Sequence, residues 1–314
     1  MTGTEGEVRV LAPAKVNLIL RVLDRRPDGY HNLWSLMQTV GLEDELHIRL
    51  RPGSTELSLT CDDPGLPTDG RNLIHRAATL VLERAGLQGN RAVGLEIRVT
   101  KRIPVSAGLG GGSSDAAATI AGLNRLLALG WSDHEMATMG QVLGSDVPFF
   151  FFAPSARVRG RGEDVAALPV TGARWVVLVH PGFPIATRWA YDRLAALRKT
   201  VRPLSPALAV LMGKSSVRWE EVIPLMENDF EEALTPDHPV LGAIKCELLS
   251  AGAEAALLSG SGATVFGIFH DEAAATRARA SVERAPGRKA FAVPAGSRAL
   301  AREEVSGPRP ARVG

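Results

Sequence analysis

A glycine-rich run joins a predicted strand to a predicted helix in the first half of the chain. The run reads PVSAGLGGGSSD over residues 104–115 and has four glycines among residues 108–112. Apolar and polar residues alternate over 93–100, which predicts a half-buried strand before the run. Residues 116–129 are rich in alanine and leucine and predict a helix after it, with residues 113–115 as its possible caps. The fold must therefore place a glycine loop at the start of a helix.

This junction has the properties of a phosphate-binding site. Glycine lets a ligand approach the backbone where any Cβ would collide with it. The first turn of the following helix offers unpaired N–H groups at the positive end of its dipole. The run lacks the ending of a Walker A loop, and it lacks the spacing and the later acidic residue of a dinucleotide-binding fingerprint. A flexible turn that binds nothing is the alternative, although a plain connection needs only one or two glycines.

The composition is that of an ordinary globular protein. The 314 residues are 45% hydrophobic and 22% charged, which suits one large domain or two of usual size. The formal net charge of +2 gives no reason to expect a nucleic-acid or membrane partner. Cys61 and Cys246 have neither a disulfide framework nor metal-ligand spacing. With no signal region and no long apolar run, these features predict a cytoplasmic protein.

The order of predicted elements indicates two α+β domains. The first, residues 1–165, contains the glycine-rich run, with strands predicted over 8–11, 16–23, 33–41, 45–50 and 56–60. Its other helices are predicted over 71–85 and 132–143.

The second domain, residues 166–295, has the order strand, helices, strand, turn, strand, helix, strand, which is a ferredoxin-like pattern with extra helices. Its helices are predicted over 187–199, 206–212, 219–234, 239–251 and 271–285. Residues 296–314 are polar and predict a flexible tail. The cleft between the two domains is the expected site.

Two charged residues stand in otherwise apolar segments. Lys15 lies within the predicted strand APAKVNL, and Asp146 lies within LGSDVPF. Transfer of a phosphoryl group requires positive charge near the phosphates and often a carboxylate near the attacking hydroxyl. Each residue also has a structural interpretation. Lys15 could be an edge-strand charge that opposes aggregation, and Asp146 could cap a helix that begins near Pro148.

Three segments of the chain resemble the GHMP kinases. In chain order they are PAKVN over 13–17, PVSAGLGGGSSDAA over 104–117 and LSGSGATVF over 258–266. One branch of that family is the most similar, through RPDGYH over 26–31, LGSDVPFF over 143–150 and ENDF over 227–230. The resemblance implies an α+β fold of two domains, with a ribosomal-protein-S5-like N-terminal domain and a ferredoxin-like C-terminal domain with extra helices.

The resemblance also implies an ATP-dependent kinase that phosphorylates a hydroxyl group of a small molecule. Asp146 would act as the base or orient that hydroxyl, and Lys15 would neutralise charge near it and near the γ-phosphate. Mg²⁺ would accompany ATP, held mainly by phosphates and water, with Ser114 as a candidate ligand. The residues that would wrap the ATP phosphates are Pro104, Val105, Ser106, Ala107, Gly108, Leu109, Gly110, Gly111, Gly112, Ser113 and Ser114.

The most similar branch implies a substrate that carries a cytidine diphosphate group. Asn17 would hold this substrate near the reacting hydroxyl, Tyr30 and His31 would contact the cytosine, and Tyr191 would stack on its other face. Tyr191 could instead be a packing residue of its helix. A sibling kinase acting on homoserine, mevalonate or a sugar is one alternative function, and a nucleotide-binding regulator is another. We expect a monomer or a homodimer.

Overall fold

The computed structural model describes residues 6–26, 29, 31–51, 53–89, 93–198, 200–297 and 300. Two long strands begin the fold and are followed by alternating short strands and helices. The elements of the first half are β1 (Glu7–Arg25), β2 (His31–Arg51), β3 (Leu57–Cys61), α1 (Leu73–Arg84), β4 (Gly94–Thr100), α2 (Gly111–Leu126), α3 (Asp133–Gly140), a 3-10 helix (Pro148–Phe152), β5 (Ser155–Gly160) and β6 (Asp164–Ala167).

The second half begins and ends with strands and has its helices between them. Its elements are β7 (Val170–Thr171), β8 (Trp175–His180), α4 (Thr187–Leu197), α5 (Pro206–Met212), β9 (Val217–Arg218), α6 (Trp219–Val222), a 3-10 helix (Ile223–Leu225), β10 (Glu227–Asn228), α7 (Phe230–Leu234), α8 (Pro239–Ser250), β11 (Ala255–Leu258), β12 (Val265–Phe269), α9 (Glu272–Val282) and β13 (Lys289–Pro294).

The first sheet has the strand order β10-β1-β2-β4-β3, with β5 paired to β2 and β6 paired to β5. Sequence patterns predicted four separate strands over 8–50, whereas the chain forms only β1 and β2. Shifts of the pairing register at Pro13/Ala14 and Asn17/Ile19 let β1 continue past its proline and polar residues. Helices α1 and α2 cover one face of this sheet and form its core.

The second sheet has the order β11-β12-β8-β13, and all of its neighbours are antiparallel. Its strands occur in the chain as β8, β11, β12 and β13, so the first and third strands lie at the centre. This is the ferredoxin-like arrangement that the order of elements predicted. Strands β7 and β9 form a separate parallel pair. The α+β fold is thus confirmed.

Three boundaries differ from the prediction. The helix predicted over 219–234 is interrupted, because Pro224 stands in a 3-10 turn and the chain then extends as β10, which pairs in parallel with β1. Strand β6 contains Ala166 and pairs with β5, so the first sheet extends past the proposed boundary at residue 165. Helix α2 begins at Gly111 after Gly110 in a left-handed conformation, and the proposed caps Ser113, Ser114 and Asp115 lie inside the helix.

The described part of the predicted tail is attached to the first sheet. The N–H of Gly296 donates to the carbonyl of Thr39, and the hydroxyl of Ser297 bonds to Glu43. Residues 298, 299 and 301–314 lie outside the described residues, and flexibility of that segment stays a prediction. Among the helices that the structure describes, none has the length and apolar character needed to cross a membrane.

Candidate functional site

A cleft of about 890 Å³ lies where the two halves meet. The glycine-rich loop and the start of α2 form one wall. The residues before α4 and the turn after β11 also line the cleft. Lys15, Asn17, Asp146 and Tyr191 all border this space, so the fold brings together residues that are up to 176 positions apart in the chain.

The conformation of the glycine-rich loop requires glycine at two positions. Gly108 and Gly110 have φ angles of +77° and +71°, which side chains rarely adopt. A Cβ on Gly108 would lie 2.2 Å from the carbonyl oxygen of Ser259, so the loop and the second glycine turn are in direct backbone contact. Gly111 is different, because it is helical and a Cβ there would meet the Ile103 side chain at 3.0 Å.

The two glycine turns are also joined by hydrogen bonds. The Ser259 hydroxyl donates to the Gly108 carbonyl at 3.0 Å, and the N–H of Thr264 donates to the Ala107 carbonyl at 3.1 Å. The N–H of Lys15 donates to the Leu109 carbonyl at 2.9 Å. The segment LSGSGATVF, which belongs to the resemblance, therefore supports the loop from behind.

Lys15 and Asp146 face each other at the floor of the cleft. The Lys15 Nζ lies 3.4 Å from Asp146 Oδ2, and the lysine side chain is 4% exposed whereas the aspartate is 33% exposed. Asn17 Oδ1 accepts a hydrogen bond from Lys15 Nζ at 2.6 Å, and Asn17 Nδ2 donates to Ser35 Oγ at 2.8 Å. The buried ammonium is thus held in one place while one side of the carboxylate remains open to a ligand.

The structural interpretations of this pair do not fit. Lys15 is buried on β1 between Thr39 of β2 and the Leu109 carbonyl of the glycine-rich loop, so it is not an edge-strand charge. The position before the 3-10 helix belongs to Val147, so Asp146 does not occupy the cap position. Both residues are therefore available for chemistry in the cleft.

Aromatic rings form the end of the cleft opposite the glycine-rich loop. The His31 and Tyr191 rings are stacked, with centroids 5.3 Å apart and planes 19° from parallel. The Tyr191 and Phe230 rings are nearly perpendicular, with centroids 4.9 Å apart. Burial, reinforced by the charge of Asp146, raises the pKa of Tyr191 to about 12. Burial and nearby Arg25 lower the pKa of His31.

This arrangement leaves no room for a base between His31 and Tyr191. Tyr191 borders the main cleft, whereas His31 borders a smaller cavity on the far side, which also contains Arg25 and Arg198. A base in the cleft would therefore meet the part of Tyr191 that borders the cleft, and not the face that stacks on His31. Tyr30 lies outside the described residues, and its contact with a base stays a prediction.

Sequence reasoning missed a second buried lysine, Lys101, beside the glycine-rich loop. Its ammonium bonds to Asp44, and it lies 2.5 Å from Asp115 Oδ2. Burial raises the pKa of Asp115 to about 7, an effect that Lys101 opposes and Asp44 adds to. Burial opposes the charge of Lys101, but Asp115 and Asp44 outweigh it and raise the lysine pKa. The scarcity of lysine, six residues in this arginine-rich chain, is the signal that pointed to Lys15 and applied equally to Lys101.

The described residues contain no group of three or more His, Cys, Asp or Glu side chains suited to a metal ion. Ser113 borders the cleft, whereas Ser114 is fully buried on the first turn of α2. The hydroxyl of Ser114 and Oδ1 of Asp115 are buried polar atoms without a hydrogen-bond partner in the described structure. The part of the chain that the structure describes therefore offers a cation single oxygen atoms and no complete set of ligands.

Comparisons with known proteins agree on one family. Residues 72–153 match the GHMP kinases N terminal domain, and residues 214–289 match the GHMP kinases C terminal domain. The 4-diphosphocytidyl-2-C-methyl-D-erythritol kinase of Citrifermentans bemidjiense is 43% identical over 287 residues, which cover 91% of this chain and 98% of that protein. The protein of the same name from Heliobacterium modesticaldum is 41% identical, over 95% of this chain and 97% of the relative.

Solved structures give the same result. A crystal structure of 4-(cytidine 5'-diphospho)-2C-methyl-D-erythritol kinase superposes with a TM-score of 0.74 at 33% identity, and covers 92% of this chain and all of that one. Homoserine kinase from Cytophaga hutchinsonii superposes with a TM-score of 0.70 over 92% of this chain and 95% of that one, at 21% identity, which shows a shared fold alone. The chain belongs to the 4-diphosphocytidyl-2-C-methyl-D-erythritol kinase family of the GHMP kinases.

Proposed function

We propose that this protein transfers the γ-phosphoryl group of ATP to a hydroxyl of 4-diphosphocytidyl-2-C-methyl-D-erythritol, a step in the non-mevalonate route to isoprenoid precursors. Relatives of that name cover nearly the whole chain. The observation that carries the proposal for this chain is the Lys15–Asp146 pair, which opens into the cleft beside the glycine-rich loop.

The chain's own residues divide the chemistry between them. The backbone around Gly108 and Gly110 and the N-terminus of α2 would hold the ATP phosphates. The Asp146 carboxylate would accept the proton of the substrate hydroxyl. At the same time the hydroxyl oxygen would bond to the γ-phosphorus, and the bond between that phosphorus and ADP would break. Lys15 would offset the negative charge that gathers there, and Asn17 holds its ammonium in position.

Mg²⁺ would supply further positive charge on the phosphate oxygens. Small oxygen-bound cations of this kind usually keep several waters and bind through phosphates with one or two protein oxygens. The hydroxyl of Ser114 has no hydrogen-bond partner among the described residues, but Ser114 is fully buried and does not border the cleft, so it would reach such an ion only if the start of α2 moved. The ion would otherwise be held by ATP and water.

Recognition of the substrate would depend on the aromatic end of the cleft. The part of Tyr191 that borders the cleft would contact the cytosine, and stacking of one base contributes about 1–3 kcal/mol. Tyr30 is proposed as the second partner of the base. His31 would contribute by holding the Tyr191 ring, since the two rings are already stacked. A cytoplasmic location stays a prediction, supported by Cys61 and Cys246, which form no disulfide.

A phosphorylation assay with a panel of acceptors tests the function. Purified protein, ATP and Mg²⁺ are combined with 4-diphosphocytidyl-2-C-methyl-D-erythritol, methylerythritol phosphate, homoserine or mevalonate. We expect turnover of the first and near-complete loss with methylerythritol phosphate, because a site built for a polar base is left with unpaired groups. Comparable kcat/KM for the full and the cytidine-free acceptor would contradict the recognition of cytidine. Turnover of homoserine or mevalonate alone would favour a sibling kinase.

A further inference from the structure

The amide of Asn228 lies between the turn after β11 and the start of α7, although it does not border the cleft itself. Asn228 is 6% exposed and belongs to β10, where it pairs with Leu20 of β1. Its Nδ2 donates to the carbonyls of Leu258 and Gly260, both at 2.8 Å, and its Oδ1 accepts from the N–H of Phe230 at 2.9 Å. The amide nitrogen thus bonds to the turn after β11, and the amide oxygen bonds to the start of α7, and both segments border the cleft.

One pair of these hydrogen bonds fixes the second glycine turn. Gly260 has a φ angle of +57°, and a Cβ there would lie 3.1 Å from the Gly108 carbonyl and 3.4 Å from Lys15 Nζ. The neighbouring Ser259 donates to the same Gly108 carbonyl. A displacement of this turn would therefore change the position of the glycine-rich loop and the surroundings of the Lys15 ammonium.

The third hydrogen bond, from the Phe230 N–H to Asn228 Oδ1, fixes the aromatic wall of the cleft, which consists of Tyr191 and Phe230. The N–H of Phe230 lies at the start of α7, where it has no partner within the helix. The Phe230 ring borders the cleft and meets the Tyr191 ring at 87°. Tyr191 in turn stacks on His31. The position of the proposed base-stacking ring thus depends on the start of α7.

We propose that Asn228 is a positioning residue that couples the phosphate wall of the cleft to its aromatic wall. It acts through the Gly260 turn on one side and through Phe230 on the other, without contacting either substrate. The effect on the acceptor substrate rests on the proposed function. The effect on nucleotide binding does not depend on which acceptor the protein uses. Backbone pairing with β1 already holds β10 in the sheet, so the amide's three bonds are directed to the site.

The test is Asn228→Asp in the full-length protein. The variant keeps an oxygen that faces the Phe230 N–H and places a second carboxylate oxygen against the two carbonyls in place of the donors. We expect ADP affinity, measured by calorimetry, to fall about tenfold, which corresponds to the loss of one satisfied buried polar group. We expect kcat to fall by a similar factor, because Lys15 lies against the same turn.

Asn124→Asp is the matched control. Asn124 of α2 donates from Nδ2 to the Trp131 carbonyl and accepts from the Trp131 N–H, both at 3.0 Å, away from the cleft. A purely structural role for Asn228 would lower Tm in both variants and leave ADP affinity and kcat within twofold of the parent well below Tm. That outcome would overturn the proposal.

A second variant keeps the test decisive when Asn228→Asp is poorly folded. Asn228→Ala removes the amide without adding charge, and Ser259→Ala removes the turn's own bond to Gly108. When both act on the same turn, their effects on ADP affinity in the double variant will be non-additive. Additive effects would show that Asn228 does not act through the Gly260 turn, and would overturn the proposal. The ADP measurement requires no acceptor, so it stands even where the acceptor panel contradicts the proposed substrate.

Discussion

Two buried lysines flank the glycine-rich loop, and their carboxylate partners differ in exposure. Lys15 faces Asp146, whose side chain is one-third exposed to the cleft. Lys101 lies between Asp44 and Asp115, whose side chains are 0% and 5% exposed. Asp44 is further occupied by the N–H groups of Arg102, at 2.5 Å, and Ile103, at 2.9 Å, which lead into the loop.

The comparison shows how one type of ion pair serves two purposes. A carboxylate with an open side can take the proton of an arriving hydroxyl, while a neighbouring ammonium stabilises its charge. A carboxylate enclosed by a lysine and two backbone donors has no such capacity, and it fixes the chain that precedes the loop instead. The accessible side of the carboxylate, and not the presence of a lysine, distinguishes the reacting pair from the anchoring group.

Removing the charge of Asp146 is expected to have the largest effect. In Asp146→Asn the shape is kept, but the amide oxygen is too weak a base to take the hydroxyl proton, so turnover should fall about 10²–10⁴-fold. The free energy of unfolding should stay close to that of the parent, because the carboxylate is partly open to solvent. Steady-state kinetics and urea unfolding measure the two effects. Turnover within a few-fold of the parent would show that Asp146 is not catalytic.

Removing the charge of Lys101 should instead affect folding. Lys101→Met leaves Asp44 and Asp115 buried without their cation, and loss of one partner of a buried pair costs about 3–5 kcal/mol. Lys214→Met is the control, because Lys214 pairs with Glu221 at the surface, where such pairs contribute about 0–1 kcal/mol. Urea unfolding measures both. Equal stability of the two variants would remove the distinction between anchoring and surface pairs.

Exchanging the cation at Lys15 sharpens the comparison. The Lys15 stem runs against Gly110, where even a Cβ would lie 3.0 Å from Lys15 Cγ, so a guanidinium does not fit without displacing the loop. Overpacking costs about 1–3 kcal/mol, and we expect Lys15→Arg to lower kcat about tenfold to a hundredfold. Full activity of this variant would mean that any positive charge serves at this position.

The sequence predicted the junction of strand, glycine loop and helix because these features are local. It predicted the second sheet because the order of strands and helices identifies a ferredoxin-like unit. The start of α2 was misplaced, since glycine is a poor helix former and Gly111 was therefore assigned to the loop. The helix over 219–234 was wrong because Pro224, a local helix breaker, was overlooked, and because β10 pairs with β1 about 200 residues away, which no local pattern records.

The chemistry was predictable to a similar extent. Lys15 and Asp146 stand out as charges in apolar segments, and the resemblance placed them together. The partners of Lys101 were not predictable, because Asp44 comes from β2 and Asp115 from α2, and each looked like an ordinary turn or cap residue in the sequence. Likewise, the stacking of His31 on Tyr191 depends on how α4 packs beside β2.

The pH dependence of stability offers the finest test of the enclosed group. Burial raises the pKa of folded Asp115 from its ordinary value of 3.8 to about 7, so the folded protein binds a proton that the unfolded chain releases. This contribution to stability is complete below pH 3.8, and it is lost as pH rises through about 7. Asp115→Asn removes the titration while Lys101 and Asp44 remain. Between about pH 5.5 and about pH 6.5, the parent's free energy of unfolding should therefore fall by about 1 kcal/mol relative to the variant's. Urea unfolding of both proteins across this range measures the difference, in which the titration of all other groups cancels. Parallel pH profiles would show that Asp115 is ionised throughout this range and that its burial does not raise its pKa.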